Sequence, residues 1–259
     1  MHPEIYSLKE NSTDKMKVGF VFECQQQGSD EQVYTYIAKQ LCNAFNILPE
    51  NISSMGSKLS LINECALDVK VMLDNGCDFV FIIWDRMPKW GGTGKCEDHK
   101  TELLKNLDAE NVDTAKIILC CIDEMLESWM IADGRGVTNY FQAISHHSPN
   151  FPDHKTKAEQ VSPKDRLKKY NGKYNESIDN IGIVKALPDF VRAAKWNTSF
   201  EVMQCSAPSI AGITGQPPVA TRIYFAVIAL PEASLIPCGP VIVARSWKCA
   251  TLWLSRVAM

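Results

Sequence analysis

Three apolar segments of the chain each end in an acidic residue, and this pattern restricts the fold more than any other feature. The segments are KVGFVFE at 17–23, FVFIIWD at 79–85 and IILCCIDE at 117–124. Apolar runs without alternating polar residues are typical of strands buried on both faces of a parallel sheet. Because parallel strands end at the same edge of a sheet, the pattern predicts that Glu23, Asp85 and Asp123 lie at one edge.

Amphipathic segments between these strands predict helices. We expect helices over 31–45, 58–75, 97–107 and 124–132, and a short strand over 51–55. Asp30 is the expected N-cap of the first helix, and Asn75-Gly76 closes the second. Glu124 and Glu127, three residues apart, would share one face of the first turn of the last helix. Strands alternating with helices predict a three-layer α/β fold with a mostly parallel sheet.

The chain divides by composition into four parts. Residues 1–16 are expected to be a loose leader and 17–145 the α/β domain. Residues 146–205 form a basic, proline-broken part with a helical segment at 177–194 interrupted by Pro188. Residues 206–259 contain one acidic residue, Glu232, and show no regular period. This atypical tail is interpreted either as a non-native, frameshift-like extension or as an irregular apolar subdomain or partner interface.

Charge and hydropathy exclude several classes of protein. A net charge of −3 argues against nucleic-acid binding driven by bulk charge, although a local basic face remains compatible with it. The chain shows neither a signal peptide nor an apolar run of about 18 residues, so we expect a cytoplasmic protein that does not enter a membrane. Its ten cysteines include no C-x-x-C pair, and reduced thiols are expected.

Clustered carboxylates at a sheet edge suggest a metal site. Such groups repel one another unless they are protonated or neutralised by a hard divalent cation. Mg²⁺ or Mn²⁺ held by two or three carboxylates is an arrangement suited to phosphodiester hydrolysis. The alternative for each acid is a solvated loop residue or a helix cap.

Four segments resemble a known family. They are FVFECQQQGSDEQVY, FIIWDRMPKW, CIDEMLESWMIADG and SPKDRLKKYNGKYNES, and together they extend over about 15–205. They are similar to the Toprim fold, and more closely to an uncharacterised bacterial Toprim-like family, related to OLD-type nucleases, whose genes often lie beside those of ABC-type ATPases. The most specific piece is the L-E-x-W-x-x-A-D run at 126–133.

The resemblance implies roles for the acidic residues. Glu23 would be a general acid/base or a metal ligand, and Asp85 the first acid of an Asp-x-Asp metal pair. Met87 stands where that pair has its second acid. Glu124 or Glu127 would then supply the missing ligand. The expected catalytic set is therefore Glu23, Asp85 and Glu127, and the expected metal ligands are Glu23, Asp85, Glu124 and Glu127.

Other residues are weaker candidates. Asp30, Glu31 and Asp123 are secondary acidic positions, although helix capping is an alternative for the first two. A basic run in the C-terminal part could contact phosphates or form a solvated face: Lys164, Arg166, Lys168 and Lys169.

The resemblance implies a metal-dependent nuclease acting on DNA or RNA, partnered with an ABC- or AAA-type ATPase in anti-phage defence. The alternative is a non-catalytic Toprim-like module that binds an ATPase partner or nucleic acid. Carboxylates that converge on one ion would favour the nuclease. A Lys or Arg between them would favour the binding module. The sequence does not predict an oligomeric state.

Overall fold

The computed structural model describes residues 15–42, 45–87, 94–145, 149–153, 156, 161–201 and 203. The strands are β1 (Met16–Phe22), β2 (Phe45–Asn46), β3 (Ile52–Ser54), β4 (Phe79–Asp85) and β5 (Ile117–Ile122). The helices are α1 (Ser29–Leu41), α2 (Lys58–Asp74), α3 (Cys96–Ala109), α4 (Leu126–Ala132), α5 (Gly134–Ile144), α6 (Pro163–Tyr170), α7 (Glu176–Lys185) and α8 (Phe190–Lys195).

The sheet is parallel, as the apolar segments predicted. β4 and then β5 lie on one side of β1. On the other side, β2 pairs with the start of β1 and β3 with its end, so these two short strands share one edge position. The chain therefore leaves β1 toward one side and later returns to the other. This reversal places a topological switch point, the usual ligand crevice of such sheets, between the carboxyl ends of β1 and β4.

Helices cover both faces of the sheet. Phe20 and Phe81 belong to one core, shared with α1 and with α4 to α8, whereas Val21 and Ile82 belong to a second core with α2 and α3. At Gly19 an added Cβ would lie 2.8 Å from the sulfur of Met72, so α2 packs directly on the strand backbone. The predicted α/β class with a parallel sheet is confirmed.

Two predicted helix starts were wrong. α4 begins at Leu126 with Met125 as its N-cap, so Glu124 precedes the helix and does not share a helical face with Glu127. The chain bends at Glu124, whose carbonyl accepts a hydrogen bond from the backbone N–H of Met87 at 3.0 Å and is not used within the helix. In α1 the N-cap is Gly28, and Asp30 lies in the first turn, where a negative charge favours the helix dipole.

The chain beyond Asp133 is more helical than predicted. α5 was not expected, and α6 lies within the basic segment; α7 and α8 flank Pro188 as predicted. Leu167, Ile183 and Ala193 of α6 to α8 are buried in the core that includes α1. Residues 1–14 of the predicted leader and the whole predicted tail, 206–259, lie outside the described residues, and the predicted domain boundaries stay predictions. Within the described ranges, no helix combines the length and apolar character needed to cross a membrane.

A disulfide joins α3 to β5, against the expectation of reduced thiols. Cys96 is the first residue of α3, and its sulfur lies 2.04 Å from that of Cys121. Their separation of 25 residues gives no recognisable spacing in the sequence. The pair arises because the start of α3 packs beside β5.

Candidate functional site

Glu23 and Asp85 meet at the switch point of the sheet. Glu23 directly follows β1 and Asp85 ends β4, and these strands are neighbours in register, with Phe22 opposite Ile83. The backbone of Asp85 acts on the Glu23 carboxylate and lowers its pKa, against the larger effect of burial. Two acids from segments about 60 residues apart in the chain are thereby brought together, as the strand ends predicted.

The Asp85 carboxylate is oriented by two donors. The hydroxyl of Tyr34, reaching from α1, donates to Oδ1 at 3.4 Å, and the backbone N–H of Leu126 donates to Oδ2 at 3.2 Å. Burial raises the pKa of Tyr34 well above its usual value, so its hydroxyl keeps the proton that it donates. Asp85 is thus linked to the start of α4 on one side and to α1 on the other.

Glu23 and Asp85 are electrostatically unfavourable in their ionised forms. Burial is the main cause that raises the pKa of Glu23 to about 7. The pKa of Asp85 is raised well above its usual value, mainly by burial and secondly by the negative charge of Glu23. The Oε2 atom of Glu23 is buried and has no hydrogen-bond partner among the described residues. Such a pair would be stabilised by a cation that accepts carboxylate oxygens as ligands.

Lys58, at the start of α2, provides positive charge beside this pair. The side chain is buried, at 8% exposure, and its Nζ donates to the carbonyl of Arg86 at 2.9 Å. Burial lowers the pKa of Lys58, while the charges of Glu23 and Asp85 act in the opposite direction. The ammonium group therefore compensates part of the negative charge at the switch point.

Glu127 is held by side chains of α6, of α7 and of the turn between them. It is buried, at 3% exposure, and its Oε1 accepts hydrogen bonds from the hydroxyl of Tyr174 at 3.2 Å and the amide of Asn180 at 3.3 Å. Lys164 adds an ion pair at 3.7 Å. One oxygen of this carboxylate thus already contacts three donors, which favours a structural role for Glu127 over a role as a metal ligand.

Asp30 lies within the electrostatic reach of both acidic groups. Burial, followed by the charge of Glu127, raises its pKa to about 6, and Asp30 in turn contributes to the raised pKa of Asp85. Its Oδ1 accepts a hydrogen bond from Ser29 at 3.0 Å. Asp30 is therefore electrostatically linked both to Glu127 and to Asp85.

The other predicted acids are engaged in the loops around the crevice. Glu124 forms an ion pair with Arg86 at 3.2 Å, and Asp123 is exposed. Glu31 accepts hydrogen bonds from the backbone N–H of Gln27 at 2.9 Å and from Ser54 at 2.8 Å, which fixes the loop after β1 against the end of β3.

The predicted basic residues separate into two groups. Lys164 is half-buried and forms ion pairs with Glu127 and Glu176. Arg166, Lys168 and Lys169 are exposed on α6. Phosphate binding by these residues stays a prediction.

The acidic residues fit a divalent cation only in part. Across the described residues, no group of three or more His, Cys, Asp or Glu side chains is arranged to hold a metal ion. Mg²⁺, however, is often bound through one or two carboxylates, with water and phosphate filling the other positions. The buried, unpartnered oxygen of Glu23 beside Asp85 fits such a two-carboxylate site.

Sequence reasoning missed Lys58, Tyr34, Tyr174 and Asn180. The signal for Lys58 was present: it follows β3, whose end lies at the same sheet edge as Glu23. The other three side chains come from helix interiors or from a turn whose packing is not encoded in local spacing.

Comparison with family models, with curated proteins and with solved structures finds no match for this chain.

Proposed function

We propose that this chain is a metal-dependent nuclease that hydrolyses phosphodiester bonds in DNA or RNA. One observation carries the proposal. Glu23 and Asp85 lie together at the switch point of a parallel sheet, and the buried Oε2 of Glu23 has no hydrogen-bond partner among the described residues. These two side chains would hold Mg²⁺ or Mn²⁺, which when bound activates water and stabilises the charge on the phosphate.

Neighbouring residues would orient the two ligands. The hydroxyl of Tyr34 and the backbone N–H of Leu126 fix both oxygens of Asp85. Glu127 and Glu124 would support the site and not bind the ion, because the first already accepts hydrogen bonds from Tyr174 and Asn180 and the second pairs with Arg86. The exposed cations of α6 would bind the phosphates that flank the scissile bond.

The wider context of the proposal comes from the sequence resemblance. This context comprises membership of the Toprim-like family, an ABC- or AAA-type ATPase as partner, and a role in defence against phage. The cytoplasmic location proposed with it is an expectation from sequence composition and not from the resemblance.

Cleavage of supercoiled plasmid, single-stranded DNA and RNA with Mg²⁺ or Mn²⁺ tests the proposal. We expect cutting by the wild type and loss of cutting in Glu23→Gln and Asp85→Asn, since each removes one ligand charge with little change in volume. Asp74→Asn is the matched control, because Asp74 is an exposed acid at the far end of α2. Cutting that survives in both site variants would contradict the assignment.

A second candidate function is a non-catalytic module that binds an ATPase or nucleic acid. Lys58 and Lys164 favour it, because each already compensates part of the acidic charge in the crevice. If the wild type cuts none of the three substrates, alone or with the ATPase and ATP, this function replaces the nuclease.

A further inference from the structure

Lys58 is the only buried lysine among the described residues, and it stands beside the two acids at the switch point. Ser57 caps α2 by accepting a hydrogen bond from the backbone N–H of Ser60 at 3.1 Å, and this fixes the backbone from which Lys58 extends. The Nζ atom then donates to the carbonyl of Arg86, the residue that follows Asp85. The ammonium group is therefore attached to both α2 and the end of β4.

The guanidinium group of Arg86 is also nearby, but it is paired with groups other than the two acids. Arg86 forms its ion pair with Glu124, and its Nε donates to the carbonyl of Asp123. The positive charge of Lys58 lowers the pKa of Glu23, and the charges of Glu23 and Asp85 in turn raise that of Lys58. Even so, Oε2 of Glu23 has no hydrogen-bond partner within the described chain, so the lysine compensates the charge without saturating the carboxylate.

We propose that Lys58 is an internal counter-ion for the Glu23–Asp85 pair and that it competes with a divalent cation for this pair. The inference rests on the metal site of the proposed function. Without the ion, Lys58 offsets the repulsion between the two acids. When the ion enters, the like charges of the metal and the ammonium group repel at close range, so Lys58 weakens metal binding.

Mn²⁺ binding to the protein without nucleic acid, measured by electron paramagnetic resonance, tests this role. Lys58→Met removes the charge and keeps most of the apolar stem; Lys58→Gln also keeps an N–H donor for the Arg86 carbonyl. We expect both variants to bind Mn²⁺ at least about tenfold more tightly than the wild type, because a positive charge has been removed beside the ligands. Thermal unfolding should also become more dependent on Mn²⁺.

Lys70→Met is the matched control. Lys70 lies on the same helix, and its Nζ also donates to a backbone carbonyl, that of Glu110, at 3.0 Å. This variant should bind Mn²⁺ as the wild type does. Unchanged or weaker Mn²⁺ binding in both folded Lys58 variants would overturn the counter-ion role. Because binding is measured without cleavage, Mn²⁺ that binds as predicted in a protein that cuts nothing would reject the nuclease and retain the counter-ion.

Discussion

At Glu23 the folded chain holds a carboxyl group whose pKa is about 7, against 4.5 for an ordinary glutamate, chiefly because the side chain is withdrawn from water. The folded state binds this proton more tightly than the unfolded state. The stability that the group contributes is therefore complete below about pH 4.5 and is lost as the pH rises through about 7. Asp30, with its pKa raised to about 6 by burial, acts with the same sign.

We expect the melting temperature of the metal-free wild type to fall between about pH 5 and about pH 8. Glu23→Gln, which resembles the protonated form, should remove on the order of 5 °C of that fall. Calorimetry in a chelating buffer measures it, with Asp74→Asn as the control. A variant whose melting temperature falls as steeply as that of the wild type would show that Glu23 is not the titrating group.

Glu127 should respond differently to two substitutions. Glu127→Ala leaves the amide of Asn180 without this acceptor, removes one of the two acceptors near the hydroxyl of Tyr174, the other being Oδ1 of Asn180, and removes a partner of Lys164. It should destabilise the fold by about 3 kcal/mol in urea unfolding. Glu127→Gln retains an acceptor oxygen and should cost about 1 kcal/mol, with Mn²⁺ binding unchanged. Loss of Mn²⁺ binding in the folded Gln variant would identify Glu127 as a metal ligand.

The sequence predicted the two acids of the switch point but not the environment of Glu127. Glu23 and Asp85 end uninterrupted apolar runs, so the position of each relative to the sheet follows from local pattern. Tyr174 and Asn180 lie 47 and 53 residues after Glu127, and only the packing of α7 on α4 brings them there. A carboxylate surrounded by donors cannot be distinguished from a metal ligand by spacing alone.

At the scale of the elements, the disulfide between α3 and β5 allows a direct test of how much this connection stabilises the fold. Closing a loop of 25 residues through Cys96 and Cys121 should stabilise the fold by about 3.5 kcal/mol, because the bond restricts the unfolded chain. Reduction with a thiol reagent should lower the free energy of unfolding by about this amount. The double variant Cys96→Ser/Cys121→Ser should show the lower stability and no response to the reagent. Equal stability of the oxidised and reduced wild type would contradict the prediction.

Helix α5 shows why the element that directly follows Asp133 was not predicted. Gly134 follows Asp133 and favours a helix end, yet it is the first residue of α5. Asp133 caps that helix by accepting from the backbone N–H of Arg135 at 3.2 Å. Moreover, a Cβ on Gly134 would lie 2.6 Å from the carbonyl oxygen of Phe151. The glycine permits a close chain contact, which depends on a segment distant in sequence.

At the scale of the whole molecule, the net charge of −3 does not describe where charged side chains lie. Among the described residues, Glu23 and Asp85 lie at the carboxyl end of the sheet, whereas the exposed cations Arg166, Lys168 and Lys169 belong to α6, which contacts α4. A nucleic acid bound for cleavage would need its scissile phosphate at Glu23 and Asp85 and its flanking phosphates on cations outside the crevice. The proposed nuclease therefore predicts that removing α6 charges weakens binding without removing the metal site.

Lys168→Ala/Lys169→Ala should make nucleic-acid binding less sensitive to salt. If both side chains contact phosphates, the slope of log affinity against log salt concentration becomes shallower by about 2, one for each lost contact. Lys105→Ala/Lys116→Ala is the matched control: both residues are exposed, on α3 and just before β5, and this variant has the same net charge. Fluorescence anisotropy with a labelled single strand in Ca²⁺, over a series of salt concentrations, measures both slopes.

Equal loss of slope in the two variants would mean that net charge alone controls binding. No loss of slope in either variant would exclude α6 from the nucleic-acid surface. A shallower slope only for Lys168→Ala/Lys169→Ala, with Mn²⁺ binding as in the wild type, would locate the phosphate contacts on α6 and separate them from the ion at Glu23 and Asp85.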